Sequence, residues 1–125
     1  MLSSEKLIGF VATRHAARAK AFYGGTLGLR LVSEDGFALV FDANGTAIRV
    51  TPVRELTPAP YTVLGWDVTD IKSVVTGLAA AGVSFERYGF LEQDQQGIWT
   101  APGGTRGAWF KDPDGNLLSV SQHSK

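Results

Sequence analysis

Few side chains in this sequence can do chemistry, and their types narrow what that chemistry is. The chain has no cysteine and only two histidines, His15 and His123, near opposite ends. Thiolate zinc sites, iron–sulfur clusters, cysteine nucleophiles and disulfide frameworks are therefore excluded, and neither histidine belongs to a zinc-binding spacing. Asp67 and Glu86 are the candidate catalytic carboxylates, as general bases, a role that needs a desolvated group within reach of a substrate proton. Arg49 offers a planar fork of donors to a carboxylate or another anion. Its alternative role is a structural ion pair with Asp67. Trp99 ends the segment Gln95-Gln96-Gly97-Ile98-Trp99, a polar loop of the kind that closes over ligands. There an indole either stacks on an aromatic or cationic ligand or packs in a subunit interface. Glu92, Asp94 and Gln95 either line the entrance of that loop or solvate it. Pro102-Gly103-Gly104-Thr105-Arg106-Gly107 superficially resembles a phosphate loop, but a strand-like segment follows it in place of a helix N-terminus. No nucleophile elbow, Walker lysine or calcium-loop spacing is present.

Composition excludes further classes. Twelve basic and twelve acidic residues in 125 give zero net charge, without the basic run that nucleic-acid binding by counterion release requires. No stretch approaches the run of about 20 apolar residues of a membrane helix, and Glu5 and Lys6 interrupt any secretory signal. A cytoplasmic protein without nucleic-acid or membrane partners is expected. At 44% hydrophobic residues and this length, one domain can bury a core without a metal or disulfide.

The elements that must position these residues follow from periodicity. Leu7 to Ala12 reads as a mostly buried strand, and Ala16, Ala19, Phe22, Tyr23 and Leu27 form a helical stripe that Gly28 can end. Strands are predicted at Leu29 to Val32, Phe37 to Phe41 and Ala47 to Thr51, punctuated by Asp35-Gly36 and Asn44-Gly45. Residues 54–60 carry two prolines and read as a linker. The pattern then restarts. Thr62 to Val68 is a strand, Asp70 an N-cap, and Ile71, Val74, Val75 and Leu78 a helical stripe stopped by Gly82. Val83 to Tyr88, Gly107 to Lys111 and Leu117 to Ser121 are strand-like, with a long polar stretch, Leu91 to Gly104, after the first.

The second half repeats the first. Ile8-Gly9-Phe10 echoes Leu64-Gly65-Trp66, and Asp42-Ala43-Asn44-Gly45 before Ile48-Arg49-Val50 echoes Asp112-Pro113-Asp114-Gly115 before Leu118-Ser119-Val120. The expected fold is α+β: two βαβββ modules, residues 6–53 and 61–123, paired by pseudo-twofold symmetry with their sheets curled into a cup.

These residues resemble the vicinal oxygen chelate superfamily, which includes glyoxalase I, extradiol dioxygenases and bleomycin-resistance proteins. The resemblance rests on Ala21-Phe22-Tyr23 with Leu27-Gly28-Leu29, on Ala79-Ala80-Ala81-Gly82-Val83, and on Trp109-Phe110-Lys111-Asp112-Pro113-Asp114-Gly115-Asn116. It implies paired βαβββ modules and a homodimer. In metal-dependent members it implies a divalent ion held by His, Gln or Glu at the start of each module's first strand and in its last strand. Counting from the motifs, those positions carry Ile8 and Val63, or Leu64 with a one-residue error, and Arg49 and Ser119. None is a good metal ligand, and an arginine about 4 Å from a dication would cost roughly 8 kcal/mol at an effective dielectric near 20.

Parity and the family geometry together place Ile8, Phe10, Ala12, Arg49, Thr51, Gly65, Asp67, Ser119 and Ser121 on the cup's inner face. Trp66, at the opposite parity, packs beneath the second helix, although the echo of Ile8 with Leu64 would turn it inward. The ligand-binding residues expected are Ile8, Phe10, Arg49, Thr51, Val63, Gly65, Trp99, Ser119 and Ser121. The function expected is metal-independent binding of a small organic molecule, with no cofactor, by a homodimer. The alternatives are an enzyme using Asp67 or Glu86 without metal, and a metal-dependent lyase or dioxygenase drawing donors from Asp67, Glu86 or His123.

Overall fold

The computed structural model describes residues 1–123. The chain divides into two compact units between Thr57 and Pro58, inside the proline-bearing stretch. Each unit is a βαβββ module with a four-stranded mixed sheet, so the fold is α+β. Among the described residues no helix is long and apolar enough to cross a membrane.

Module one runs β1 (Ile8–Thr13), α1 (Ala16–Lys20), a π-helical continuation (Ala21–Thr26), β2 (Arg30–Glu34), β3 (Leu39–Ala43) and β4 (Thr46–Pro52). Its sheet order is β1-β4-β3-β2, with β1 parallel to β4 and the other pairs antiparallel. The helical stripe seen in the sequence is real, but its C-terminal half is wound wider than an α-helix. Gly24 and Gly25 lie in that half, and the Leu27 amide reaches back five residues to the Phe22 carbonyl at 2.9 Å. Gly28, at φ 76°, takes the left-handed conformation just after. Ala19 and Tyr23 are fully buried on the helix, over Val11, Phe41, Ile48 and Val50 of the sheet. Tyr23 meets Phe41 at 6.0 Å between ring centroids.

Module two repeats the plan with β5 (Leu64–Asp67), α2 (Ile71–Ala80), β6 (Trp99–Thr100), β7 (Arg106–Lys111) and β8 (Leu117–Gln122), in the order β5-β8-β7-β6. Asp70 caps α2 by accepting the Ser73 amide at 3.2 Å, and the Gln122 side chain accepts the Ile71 amide at 2.8 Å. Ile71 and Val75 of α2 are buried, as are Ala108, Phe110, Leu118 and Val120 of the sheet.

One strand expected from the sequence is absent. Val83 to Tyr88 forms only an isolated bridge, Phe85 to Phe110, and the outer strand beside β7 is instead Trp99–Thr100, inside the stretch expected to be loop. The physical reason is a side chain that replaces a ladder. Gln93 accepts the Tyr88 amide and donates to the Glu86 and Gly97 carbonyls, so the backbone there is satisfied without a neighbouring strand.

Candidate functional site

In each module alternate residues face opposite sides of the sheet. In module one Val11, Ile48 and Val50 are buried on the helix side, and the opposite face is open. The open face carries Phe10, Arg49 and Val40 in one cross-strand row, with Ala12 beside Thr51 and Ile8 beside Ala47. Phe10 is 65% exposed and Ile8 48%. Within this module and among the described residues, the Arg49 guanidinium makes no hydrogen bond or ion pair. The module's cations Lys20 and Arg30 are paired, with Glu34 at 2.8 Å and Asp42 at 3.9 Å. At the β2–β3 turn the Asp35 carboxylate accepts the Phe37 and Ala38 amides at 2.8 and 3.0 Å, which lowers its pKa below the usual carboxylate value. Arg49 adds a smaller attraction.

The open face of module two is built differently. One row runs Gly65, Ser119, Trp109; the next runs Asp67, Ser121, Gly107, Trp99. Trp66 pairs with Val120, on the helix side, so the reading that packed it beneath the second helix is the one the register gives. Both rows begin with a floor and end in indoles. Trp99 and Trp109 lie 6.1 Å apart, tilted by 41°. Tyr88 meets Trp109 edge-on at 5.7 Å, and the 83% exposed Phe90 lies 5.6 Å from Tyr88. Gly107 makes this possible, because the Trp109 ring lies over it; a Cβ there would sit 3.5 Å from the indole. Ser119 Oγ similarly lies over Gly65, at 2.9 Å from where a Cβ would be. Ser121 Oγ is 3.2 Å from His123 Nε2. Burial raises the Tyr88 phenol pKa above its ordinary value, and the Glu86 carboxylate raises it further.

Sequence reasoning named Trp99 but not Tyr88 or Trp109 as site residues. The signal for Trp109 was present: it stands two residues from Gly107 on β7, and pairing opposite Ser119 gives it Ser119's face. The signal for Tyr88 was not, because its place depends on the loop. Glu92 is exposed, while Asp94 organises the turn, its Oδ1 accepting the Gln96 and Ile98 amides at 2.9 Å. Of the two candidate bases, Glu86 is 3.6 Å from Lys111 and Asp67 is exposed. Neither an ion-paired nor an exposed carboxylate has the desolvated setting of a general base.

Two mixed four-stranded sheets of identical strand order, each with one face under a helix, invite comparison with known families. Residues 8–120 match the model of the Glyoxalase/Bleomycin resistance protein/Dioxygenase superfamily. The chain belongs to this superfamily. Solved structures of similar fold include TnmS3, an antibiotic binding protein from Streptomyces sp. CB03234, at 24% identity and TM-score 0.77, covering 99% of each chain. A superfamily member from Sphaerobacter thermophilus DSM 20745 has 21% identity and TM-score 0.75, covering 98% of this chain and 100% of the other. Lactoylglutathione lyase from Agrobacterium tumefaciens has 16% identity and TM-score 0.74, covering 95% and 93%. No match to a curated protein was found. At these identities the structural likeness concerns the fold.

The resemblance implies a donor set in metal-dependent members at the positions counted from the motifs, and the registers show how those positions correspond between the modules. Gly9 pairs with Ile48 and Leu64 with Leu118, and Ile48 and Leu118 each stand three residues after a turn glycine. Ile8 therefore corresponds to Val63, not Leu64, and Arg49 corresponds to Ser119. Two aliphatic side chains, a guanidinium and a hydroxyl do not fit a divalent ion. Among the described residues no group of three or more His, Asp or Glu side chains is placed to hold one.

Proposed function

We propose that this superfamily member binds a planar aromatic small molecule and does so without a metal ion or other cofactor. The observation that carries the reading is the aromatic row Tyr88, Trp109 and Trp99 on the open face of module two. Indole and phenol rings offer large apolar faces with little rotamer entropy to lose, and an offset or edge-on contact with another ring contributes about 0.5–1.5 kcal/mol beyond area burial. The open face of each module is the ligand-facing surface: Ile8, Phe10, Arg49 and Thr51 in module one, and Val63, Gly65, Trp99, Ser119 and Ser121 in module two. Arg49, without a partner in its own module, supports acceptance of an anionic group. Two further observations support a binding protein: the donor-poor set Ile8, Val63, Arg49 and Ser119, and a fold shared with an antibiotic binding protein. The protein is proposed to act as a homodimer in the cytoplasm. Exposed Ile8 and Phe10 support the dimer, and the absence of cysteine suits a reducing compartment.

The test has two arms. Purified protein is incubated with Ni, Zn, Mn and Fe, dialysed, and its metal content measured. It is then titrated with two tricyclic arenes of opposite charge, 9-aminoacridine and anthracene-9-carboxylate, by quenching of tryptophan fluorescence. No stoichiometric ion and saturable quenching, weakened by Trp109→Ala, is the expected result. One ion per subunit, lost in Asp67→Asn or Glu86→Gln, overturns the metal-free reading. Turnover of either probe that Asp67→Asn abolishes while binding persists would make the protein an enzyme.

A further inference from the structure

The aromatic row has one end on a loop that no strand supports. Tyr88 belongs to residues 86–98, which among the described residues meet the sheet through the bond from the Glu86 amide to the Trp109 carbonyl, 2.7 Å, next to the bridge at Phe85, and through a bridge from Gln93 to Trp99. Within the loop Asp94 closes a turn and Arg87 ties that turn to the exposed edge, and one side chain links the Tyr88 segment to Gly97. Gln93 Oε1 accepts the Tyr88 amide at 2.8 Å, and Gln93 Nε2 donates to the Glu86 carbonyl at 2.9 Å and the Gly97 carbonyl at 2.8 Å. Through its backbone the same residue forms a bridge with Trp99. Gln93 thus grips Tyr88 with its side chain and Trp99 with its main chain, the two outer members of the row.

We infer that Gln93 is a positioning residue, which cross-braces the 86–98 loop so that the Tyr88–Trp109–Trp99 row stands in its binding geometry before any ligand arrives. The inference rests on the aromatic-ligand reading above and goes beyond it: the loop is a fixed wall, not a lid. A primary amide suits this task, because it presents one acceptor and two donors and all three are used here. An apolar side chain of the same length would leave a Tyr88 amide and two carbonyls without partners in a part-buried place, and the loop would rearrange to reach water. Arg87 also ties the loop, donating from Nη2 to the Asp94 and Gln95 carbonyls at 2.8 and 2.7 Å. Those bonds are on the exposed edge and touch neither Tyr88 nor Trp99.

The experiment compares Gln93→Met with Arg87→Met, which removes two bonds from the same loop but leaves the link between the aromatic residues. Three signals are read: near-ultraviolet circular dichroism of the aromatic row, the Tyr88 phenol titration followed by carbon NMR and assigned with Tyr88→Phe, and the Kd of 9-aminoacridine and anthracene-9-carboxylate. Gln93→Met should flatten the aromatic dichroism, return the Tyr88 phenol toward its ordinary pKa of about 10 and weaken the bound arene by about tenfold. Arg87→Met should leave all three near wild type. Should Gln93→Met fail to fold, Gln93→Glu takes its place; it keeps an acceptor for Tyr88, loses both donors, and should give an intermediate change. Wild-type signals in the Gln93 variants, or the same loss in Arg87→Met, overturn the inference. If wild-type protein binds neither arene while Gln93→Met still alters the dichroism and the phenol, the ligand reading falls and the positioning role stands.

Discussion

Gly107 gives the sharpest test of how the open face of module two is built, because two substitutions there should move stability in opposite directions. A Cβ at this position would lie 3.5 and 3.6 Å from Cη2 and Cζ2 of Trp109, ordinary van der Waals contact. Gly107→Ala should therefore fit, and by restricting the unfolded chain it should stabilise the protein by about 0.4–1 kcal/mol. For a chain of this size that is a rise in Tm of about 2–4 °C. Valine adds two methyl groups about 1.5 Å further out, into space that the Trp109 ring occupies and that Trp99 borders across the strand. The ring must then lift. Overpacking costs about 1–3 kcal/mol, and the lost Trp99–Trp109 contact about 0.5–1.5 more, so Gly107→Val should destabilise by about 2–4 kcal/mol. Urea denaturation gives the energies, and near-ultraviolet circular dichroism reports whether the indole pair has separated. A valine variant as stable as the alanine one, with unchanged dichroism, would mean that the ring does not rest on Gly107.

Gly97, at φ 92° with a would-be Cβ 3.1 Å from that of Phe85, should tolerate no side chain. Gly97→Ala is expected to cost about 1–3 kcal/mol in the same urea assay. Asp112, only 5% exposed, accepts the Asp114 amide, the Asn116 amide and the Asn116 side-chain amide, each at 2.9 Å. Asp112→Ala should cost about 3 kcal/mol by stranding those donors, whereas Asp112→Asn, which keeps an acceptor in place, should cost less than half as much. The Tyr88 phenol should ionise above 10, chiefly through burial and secondarily through Glu86. Glu86→Gln should remove only the smaller part of that shift, read by NMR titration. Since the folded state holds the phenolic proton more tightly than the unfolded chain, the associated stability is complete below pH 10 and is lost as pH rises through the folded-state pKa.

The duplicated βαβββ plan was legible because period-two alternation, two helical stripes and turn glycines recur in both halves, at Gly28 and Gly82 and at Gly45 and Gly115. Register was legible only to within a residue. The letter echo of Ile8 with Leu64 is one position away from the correspondence that strand pairing shows, since Ile8 corresponds to Val63. Similarity of letters follows the chain, while correspondence follows hydrogen bonds, and the two differ where the second module's strand begins later. The π-helical turn was hidden because a stripe at Phe22, Tyr23 and Leu27 suits either winding. The missing strand at Val83 to Tyr88 was hidden for a different reason: its composition is strand-like, but Gln93, a residue unremarkable in sequence, takes the bonds a neighbour would have made. The aromatic row inherits that obscurity, being assembled from one strand residue, one edge residue and one loop residue.

The correspondence between the modules has a practical side. On the helix face the paired positions remain apolar, Ile48 with Leu118, Val50 with Val120 and Val11 with Trp66. On the open face they have become unlike: Phe10 with Gly65, Ala12 with Asp67, Arg49 with Ser119 and Thr51 with Ser121. Alternation along a strand separates what keeps the sheet folded from what the sheet displays. Those eight display positions form a ready library: randomising them should yield folded proteins with new ligand preferences, while the same diversity shifted by one residue along each strand should yield mostly aggregates.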